Sequence, residues 1–377
     1  MEKHFVFSAP GRTEISGNHT DHQHGCVLAA AVNLETVADV YLNDSSVIRI
    51  QSEGYPTVEV SLEDLSVHEE EKNTTAALIR GVASVFAEKG AKLEGFDAVV
   101  RSTVLPGSGL SSSAAFEVLF GTIMNELFFE KKLSAVEIAQ IGQYAENVYF
   151  GKPCGLMDQM ASSVGGLVYI DFEDPAQPKI EKINFDLAKA GYALCIIDSG
   201  ADHADLTDEY AAIPNELQEI CQFFGKEVLR QIPEEEFYEK LPELRKHVTD
   251  RGILRAIHVY QENKRVQIQA AALRNEDLYA FFHMVKQSGQ SSWMYLQNIY
   301  PSGAVKNQEV AIALALCDNL LQGRGAYRVH GGGFAGTVQA FVPFKMLPKF
   351  KSEIEKALGE GKCHVLNIRS DGGIRVK

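Results

Sequence analysis

The segment Leu105-Pro-Gly-Ser-Gly-Leu-Ser-Ser-Ser-Ala-Ala115 constrains this chain more than any other stretch. It joins an apolar run that reads as a strand (96–103) to a run with helical spacing (about 111–128). Gly107 and Gly109 carry no Cβ, so their backbone amides can come close to a ligand. Ser111, Ser112 and Ser113 set hydroxyls at a helix N-terminus, where unpaired N–H groups and the helix dipole favour an anion. The arrangement suits a phosphate, although a Gly/Ser turn with serine caps and no ligand fits the same residues. It is no Walker loop, since GxxxxGK[ST] occurs nowhere in the chain, and the third glycine of the dinucleotide fingerprint is missing.

Three further segments concentrate polar and glycine residues. Ala9 to Gly25 packs Arg12, Glu14, Asp21, His19, His22 and His24 between two apolar runs. The histidines suggest a metal, yet Asp21 and the glycine-bounded loop suit sugar hydroxyls equally well. Arg12 follows Pro10 and Gly11, where a planar cation can reach a phosphate. In Gly151-Lys-Pro-Cys-Gly-Leu-Met-Asp-Gln159, Pro153 and Gly155 force a loop, and Asp158 emerges among Leu156, Met157 and Met160. A carboxylate there can take a proton from a hydroxyl or steady it; capping the next turn is the plain alternative. Val329-His-Gly-Gly-Gly-Phe-Ala-Gly-Thr337 permits close backbone approach. An esterase-type oxyanion loop is excluded here, because no GxSxG elbow accompanies it.

Length and charge narrow the class. The 377 residues suffice for two domains, and the net charge of −14 without a basic run argues against nucleic acid. No apolar run approaches a membrane span, and no leader pattern opens the chain, so a cytoplasmic protein with no membrane partner is expected. The six cysteines are scattered without a CxxC pair, as reduced thiols would be.

Strands are expected at 5–9, 27–32, 36–42, 47–52, 57–61, 96–103 and 167–172, and helices at 74–89 and 111–128. Ser134-Ala-Val-Glu137 is a capping box opening a helix to about Tyr149. The polar stretch 173–179 closes the first unit. A strand at 193–198, helices at about 209–224, 250–263, 266–274, 276–288 and 307–322, a glycine turn and strand within 327–343, a helix at 347–358 and two short strands follow. Strands and helices cluster without alternating, which defines an α+β class with two domains, 1–175 and 176–377.

Taken together and in this order, the four segments resemble the galactokinase branch of the GHMP kinases. APGRTEISGNHTDHQHGCVL is similar to that family's GRxNxxGEHxDYxxGxVLP signature, LPGSGLSSSAA to its phosphate loop, AENVYFGKPCGLMDQMAS to its catalytic segment and RVHGGGFAGT to its last glycine motif. The resemblance implies a two-lobed α+β fold with the active site between the lobes. It implies ATP and Mg2+, a small-molecule sugar, and a monomer that phosphorylates an anomeric hydroxyl. Asp158 and Arg12 would be catalytic. Pro106, Gly107, Ser108, Gly109, Leu110, Ser111, Ser112 and Ser113 would wrap ATP, with Ser113 and Glu146 on the metal. Asn18, His19, Asp21, Gly155 and Tyr210 would bind the sugar. Asn18 stands where the family has an acid near C6 of the sugar, and His22, Ala335 and Thr337 also depart from its pattern. Galactose is the expected substrate. Galacturonate or another modified hexose is the alternative, since a neutral residue at 18 would relieve repulsion against a C6 carboxylate. A sugar-sensing regulator without turnover is a further alternative, although Ser111 to Ala115 is complete.

Overall fold

The computed structural model describes residues 4–104, 109–201, 206–334 and 336–377. The first eight strands by position are β1 (His4–Ser16), β2 (Cys26–Leu42), β3 (Val47–Ser52), β4 (Val58–Ser61), β5 (Phe96–Ser102), β6 (Leu167–Asp171), β7 (Lys179–Ile183) and β8 (Tyr192–Asp198). The last four are β9 (Ala326–His330), β10 (Thr337–Pro343), β11 (Cys363–Leu366) and β12 (Ile374–Arg375). One sheet has the order β12-β1-β2-β5-β3-β4, with β6 also on β2 and β7 on β6. A second, antiparallel sheet runs β11-β8-β10-β9.

The helices are α1 (Thr75–Glu88), α2 (Ser112–Phe128), α3 (Ala135–Tyr144), α4 (Met157–Val164), α5 (Thr207–Phe223), α6 (Glu234–Glu239), α7 (Leu241–Leu244), α8 (Asp250–Arg274), α9 (Leu278–Ser291), α10 (Glu309–Leu321) and α11 (Leu347–Leu358). Side-chain caps begin several of them. Thr74 accepts from Ala77 N–H, Thr249 accepts from Gly252 N–H, and Ser134 with Glu137 forms the expected capping box. Each such cap contributes about 1 kcal/mol.

The chain forms two compact units. Unit 1 is Met1–Thr13, Ala30–Leu167 and Ile368–Lys377; unit 2 is Glu14–Ala29 and Val168–Asn367. The division expected at 175 treats the chain as two consecutive pieces, whereas both units here are discontinuous in sequence. In unit 1, Phe7, Val40, Ile48, Phe96, Val118 and Phe120 pack one core under α1, α2 and α3. Among the described residues, unit 2 holds one cluster of Cys195, Val310, Leu314, Val338 and Phe350 and another of Ile213, Leu217, Phe237, Val259 and Tyr260.

Three expectations change. The stretch 9–16, read as a connector, continues β1, so Arg12 sits on a strand. Residues 26–42 form one strand, and the backbone stays extended through the exposed Asn33. Likewise 250–274 is one helix: the charged break at Lys264-Arg265 is absorbed by a buried Arg265–Glu262 pair.

Candidate active site

In unit 1 the start of α2, the start of α4 and strand β1 bring their polar groups to one spot. Gly11 lies against the residue preceding the α2 tip; a Cβ there would meet Leu110 O at 3.0 Å and the Val104 methyls at 3.1 Å. That close approach lets Arg12 N–H donate to Leu110 O at 3.0 Å. The Arg12 guanidinium donates twice to Asp158, Nε to Oδ1 and Nη2 to Oδ2, both at 2.7 Å, and its Nη1 donates to Gly109 O. A planar fork on a carboxylate is the geometry arginine suits.

Ser111 precedes α2 with φ 56, a left-handed conformation that costs an ordinary residue roughly 1–2 kcal/mol. Its hydroxyl leaves the helix uncapped and donates to Asp158 Oδ2 at 2.7 Å. Among the described residues no side chain caps the α2 tip, so its first N–H groups can meet an anion. Burial alone would raise the Asp158 carboxyl, but the Arg12 charge and the hydrogen bonds from Arg12 and Ser111 hold it below the usual range. Its side chain retains 30% exposure, against 9% for Arg12.

Glu146 follows α3 in a single π-helical turn, Ala145–Phe150, where the expected α-helix had run on to Tyr149. Such turns often mark functional positions. Ser113 Oγ and Lys152 Nζ each lie 3.4 Å from Glu146 Oε1, and Gln159 Nε2 donates to Oε2 at 2.8 Å. The same Gln159 nitrogen donates to Glu117 Oε2 at 2.9 Å. Burial, reinforced by the Glu146 charge, pushes the Glu117 carboxyl well up. A carboxylate and a hydroxyl form a hard-oxygen pair of the kind magnesium takes, so Ser113 and Glu146 fit that ion. Pro106, Gly107 and Ser108 lie outside the described residues; Gly155 lies in the loop before α4.

In unit 2 the signature residues converge on the glycine triad. Asn18 Nδ2 donates to Gly331 O at 2.6 Å, His19 Nε2 to Gly332 O at 3.1 Å and the Tyr210 hydroxyl to Gly333 O at 2.9 Å. Three successive carbonyls are thus each held by a different signature or α5 side chain. Glycine is required here: a Cβ on Gly332 would lie 2.7 Å from the Tyr210 ring, and one on Gly333 2.0 Å from Asn298 O.

The histidines form a neutral relay. His19 donates from Nε2, so its Nδ1 accepts from His22 Nε2 at 3.3 Å, and His22 Nδ1 accepts from Gln23 Nε2 at 3.3 Å. Burial pushes both rings down to about 4, with the His22 charge adding to the effect on His19. Asp21 opens the 3-10 turn Asp21–Gln23. Asn18 is completely buried, and its amide is spent on protein: besides Gly331 it donates to Glu14 Oε1 at 3.2 Å and accepts from Asn298 Nδ2 at 2.9 Å. It braces the glycine triad where a sugar contact had been expected.

Several participants were missed from sequence. Glu14 stands where the signature has asparagine, so Glu14 and Asn18 interchange the two residue types; Glu14 is buried and paired with Arg328 Nη2 at 2.5 Å. His258, Glu262 and Arg265 on α8 went unread, because the helix break expected at 264–265 hid their HxxxExxR spacing. Gln159 was within sight, adjacent to Asp158.

An anion-ready helix tip beside a carboxylate held ionised by arginine suits a small-molecule phosphotransferase. The model of the GHMP kinases N terminal domain matches residues 77–166, and that of the galactokinase galactose-binding signature matches residues 1–40. Galactokinase of Glaesserella parasuis is 30% identical, covering 99% of this chain and 96% of that one. Galactokinase of Streptomyces coelicolor is 32% identical over 89% of this chain and 84% of its own. Among solved structures, Lactococcus lactis galactokinase complexed with galactose superposes with a TM-score of 0.84 at 22% identity, covering 99% of this chain and 95% of that one. A mevalonate kinase superposes at 0.68 with 13% identity, covering 97% and 99%. The chain belongs to the galactokinase branch of the GHMP kinase family.

Proposed function

We propose that the chain is an ATP-dependent galactose 1-kinase, moving the γ-phosphoryl group of ATP to the anomeric oxygen of galactose. The carrying observation is the Arg12–Asp158–Ser111 cluster at the tip of α2. In this reading the N–H groups and hydroxyls of the 106–113 loop wrap the phosphates. Asp158, kept ionised, aligns the sugar hydroxyl and receives its proton as the new P–O bond forms and the bond to ADP breaks. Arg12 fixes Asp158 and offsets charge on the moving group. Magnesium, held by Ser113 and Glu146, would neutralise phosphate oxygens. His19, Asp21, Gly155 and Tyr210 would meet the sugar, with Asn18 acting through Gly331.

Galacturonate is a second reading, favoured by one feature: Asn18 is neutral and the nearby Glu14 carboxylate is already paired with Arg328. ADP release with a hexose panel separates these. Galactose turnover is expected to exceed galacturonate turnover; the reverse ranking overturns the substrate. Binding of sugar and nucleotide without ADP release would point to a sensor. We further propose a cytoplasmic monomer; its six free thiols suit a reducing compartment, and light scattering at about twice the chain mass would contradict the monomer.

A further inference from the structure

The signature turn of unit 2 closes on itself. The Thr20 hydroxyl hydrogen is shared between Gly17 O at 2.9 Å and Cys26 O at 2.7 Å, and Gly25 N–H donates to Thr20 O at 2.9 Å. Helix α8 nevertheless grips the turn with three more side chains. Glu262 Oε1 accepts from Ser16 Oγ and Gly17 N–H, both at 3.1 Å, and from Ser288 Oγ at 2.6 Å, while its Oε2 accepts from Arg265 Nε at 2.7 Å. One turn earlier, His258 Nε2 donates to Asn18 O at 2.9 Å and Nδ1 accepts from Ser291 Oγ at 2.9 Å. Asn263 Oδ1 accepts from Cys26 N–H at 2.9 Å at the other end of the turn.

His258 and Glu262 are both completely buried. Burying a carboxylate is costly unless every lone pair is met, and here four donors meet it. Burial pushes His258 down to about 4, so at neutral pH the ring has one proton to give and Asn18 O takes it. Such an investment in a turn that is already closed locally points to a requirement for exact placement of its backbone. His19 at φ 59 and Asp21 follow directly from the gripped residues.

We propose that His258, Glu262 and Asn263 are positioning residues for sugar recognition: they fix the backbone at 16–18 and at 26 before the sugar binds. This rests on the reading of the signature as the sugar-binding segment. A turn ordered in advance need not be ordered by its ligand, so the clamp acts on sugar affinity.

The test compares His258→Leu, which removes both hydrogen bonds, with His258→Gln, whose amide can still donate to Asn18 O. His258→Leu is expected to raise the KM for galactose about tenfold, with kcat and the KM for ATP nearly unchanged, and Gln to restore it. Hydrogen exchange should speed up on 16–26 and leave α1 and α2 as they were. Asn263→Ala supplies the same readings if His258→Leu does not fold. A lowered Tm with unchanged galactose KM and unchanged exchange on 16–26 would overturn the clamp. If the wild-type protein turned over no hexose, the kinase reading would fail while the exchange measurement still decided the clamp.

Discussion

The polar clusters of the two units differ in their electrostatics. In unit 1 the cluster is charged and partly open: Asp158 is ionised, forked by Arg12 and touched by Ser111 at the α2 tip. In unit 2, by contrast, His19 and His22 are neutral and form a relay that ends on the Gly332 carbonyl. The difference matches the role proposed for the unit 1 cluster. Transfer of a phosphoryl group moves charge, so charges must already be in place.

The contrast breaks most severely at Arg12. Arg12→Leu is expected to lower kcat on the order of 10³-fold by freeing Asp158 and removing the cation, with the KM for galactose little changed. The acid limb of its pH profile should also move upward, since burial of Asp158 is then opposed only by the Ser111 hydrogen bond and the more distant Lys152 charge. Gly333→Ala should damage unit 2 instead. A Cβ at φ 81 and 2.0 Å from Asn298 O cannot be accommodated, and a loss of about 3 kcal/mol by denaturant titration is expected.

Asn18→Glu puts a second buried carboxylate beside Glu14 and should cost about 2 kcal/mol or more. Combined with Glu14→Asn it should cost less than the two singles summed, because the interchange restores one carboxylate and one amide. A strictly additive cycle would show that the pair is uncoupled.

The mildest expectation is a pH window. His19, His22 and His258 have folded values near 4, below the unfolded value of about 6.5, so the unfolded chain takes protons that the folded one refuses. Their contribution is complete above about 6.5 and is lost as pH falls toward 4. The Asp158 contribution is instead present above the ordinary carboxylate value of about 4 and lost only on further acidification through its lower folded value. Calorimetry with hydrogen exchange should find unit 2 loosening first.

How much of this was legible depended on how local each signal was. The capping box at Ser134 and the helix from Ser112 were readable because caps and periodicity are local. The pairing of Arg12 with Asp158 spans 146 residues, and only the resemblance brought the two residues together beforehand. The brace role of Asn18 was not legible. Its partners Asn298 and Gly331 come from distant segments, and a polar residue in a polar loop carries no sign of complete burial. The π-turn at Glu146 was hidden for a different reason: one extra residue per turn leaves the apolar spacing of α3 intact up to Tyr144.

Single-turnover phosphoryl transfer by Asp158→Asn, at saturating ATP, magnesium and galactose, tests the charged cluster most directly. The amide keeps the shape and loses the ionised acceptor, so ATP affinity should stay within about threefold while the transfer rate falls on the order of 10³-fold. Transfer within about tenfold of the wild-type rate would contradict a phosphoryl-transfer role for the Arg12–Asp158–Ser111 cluster.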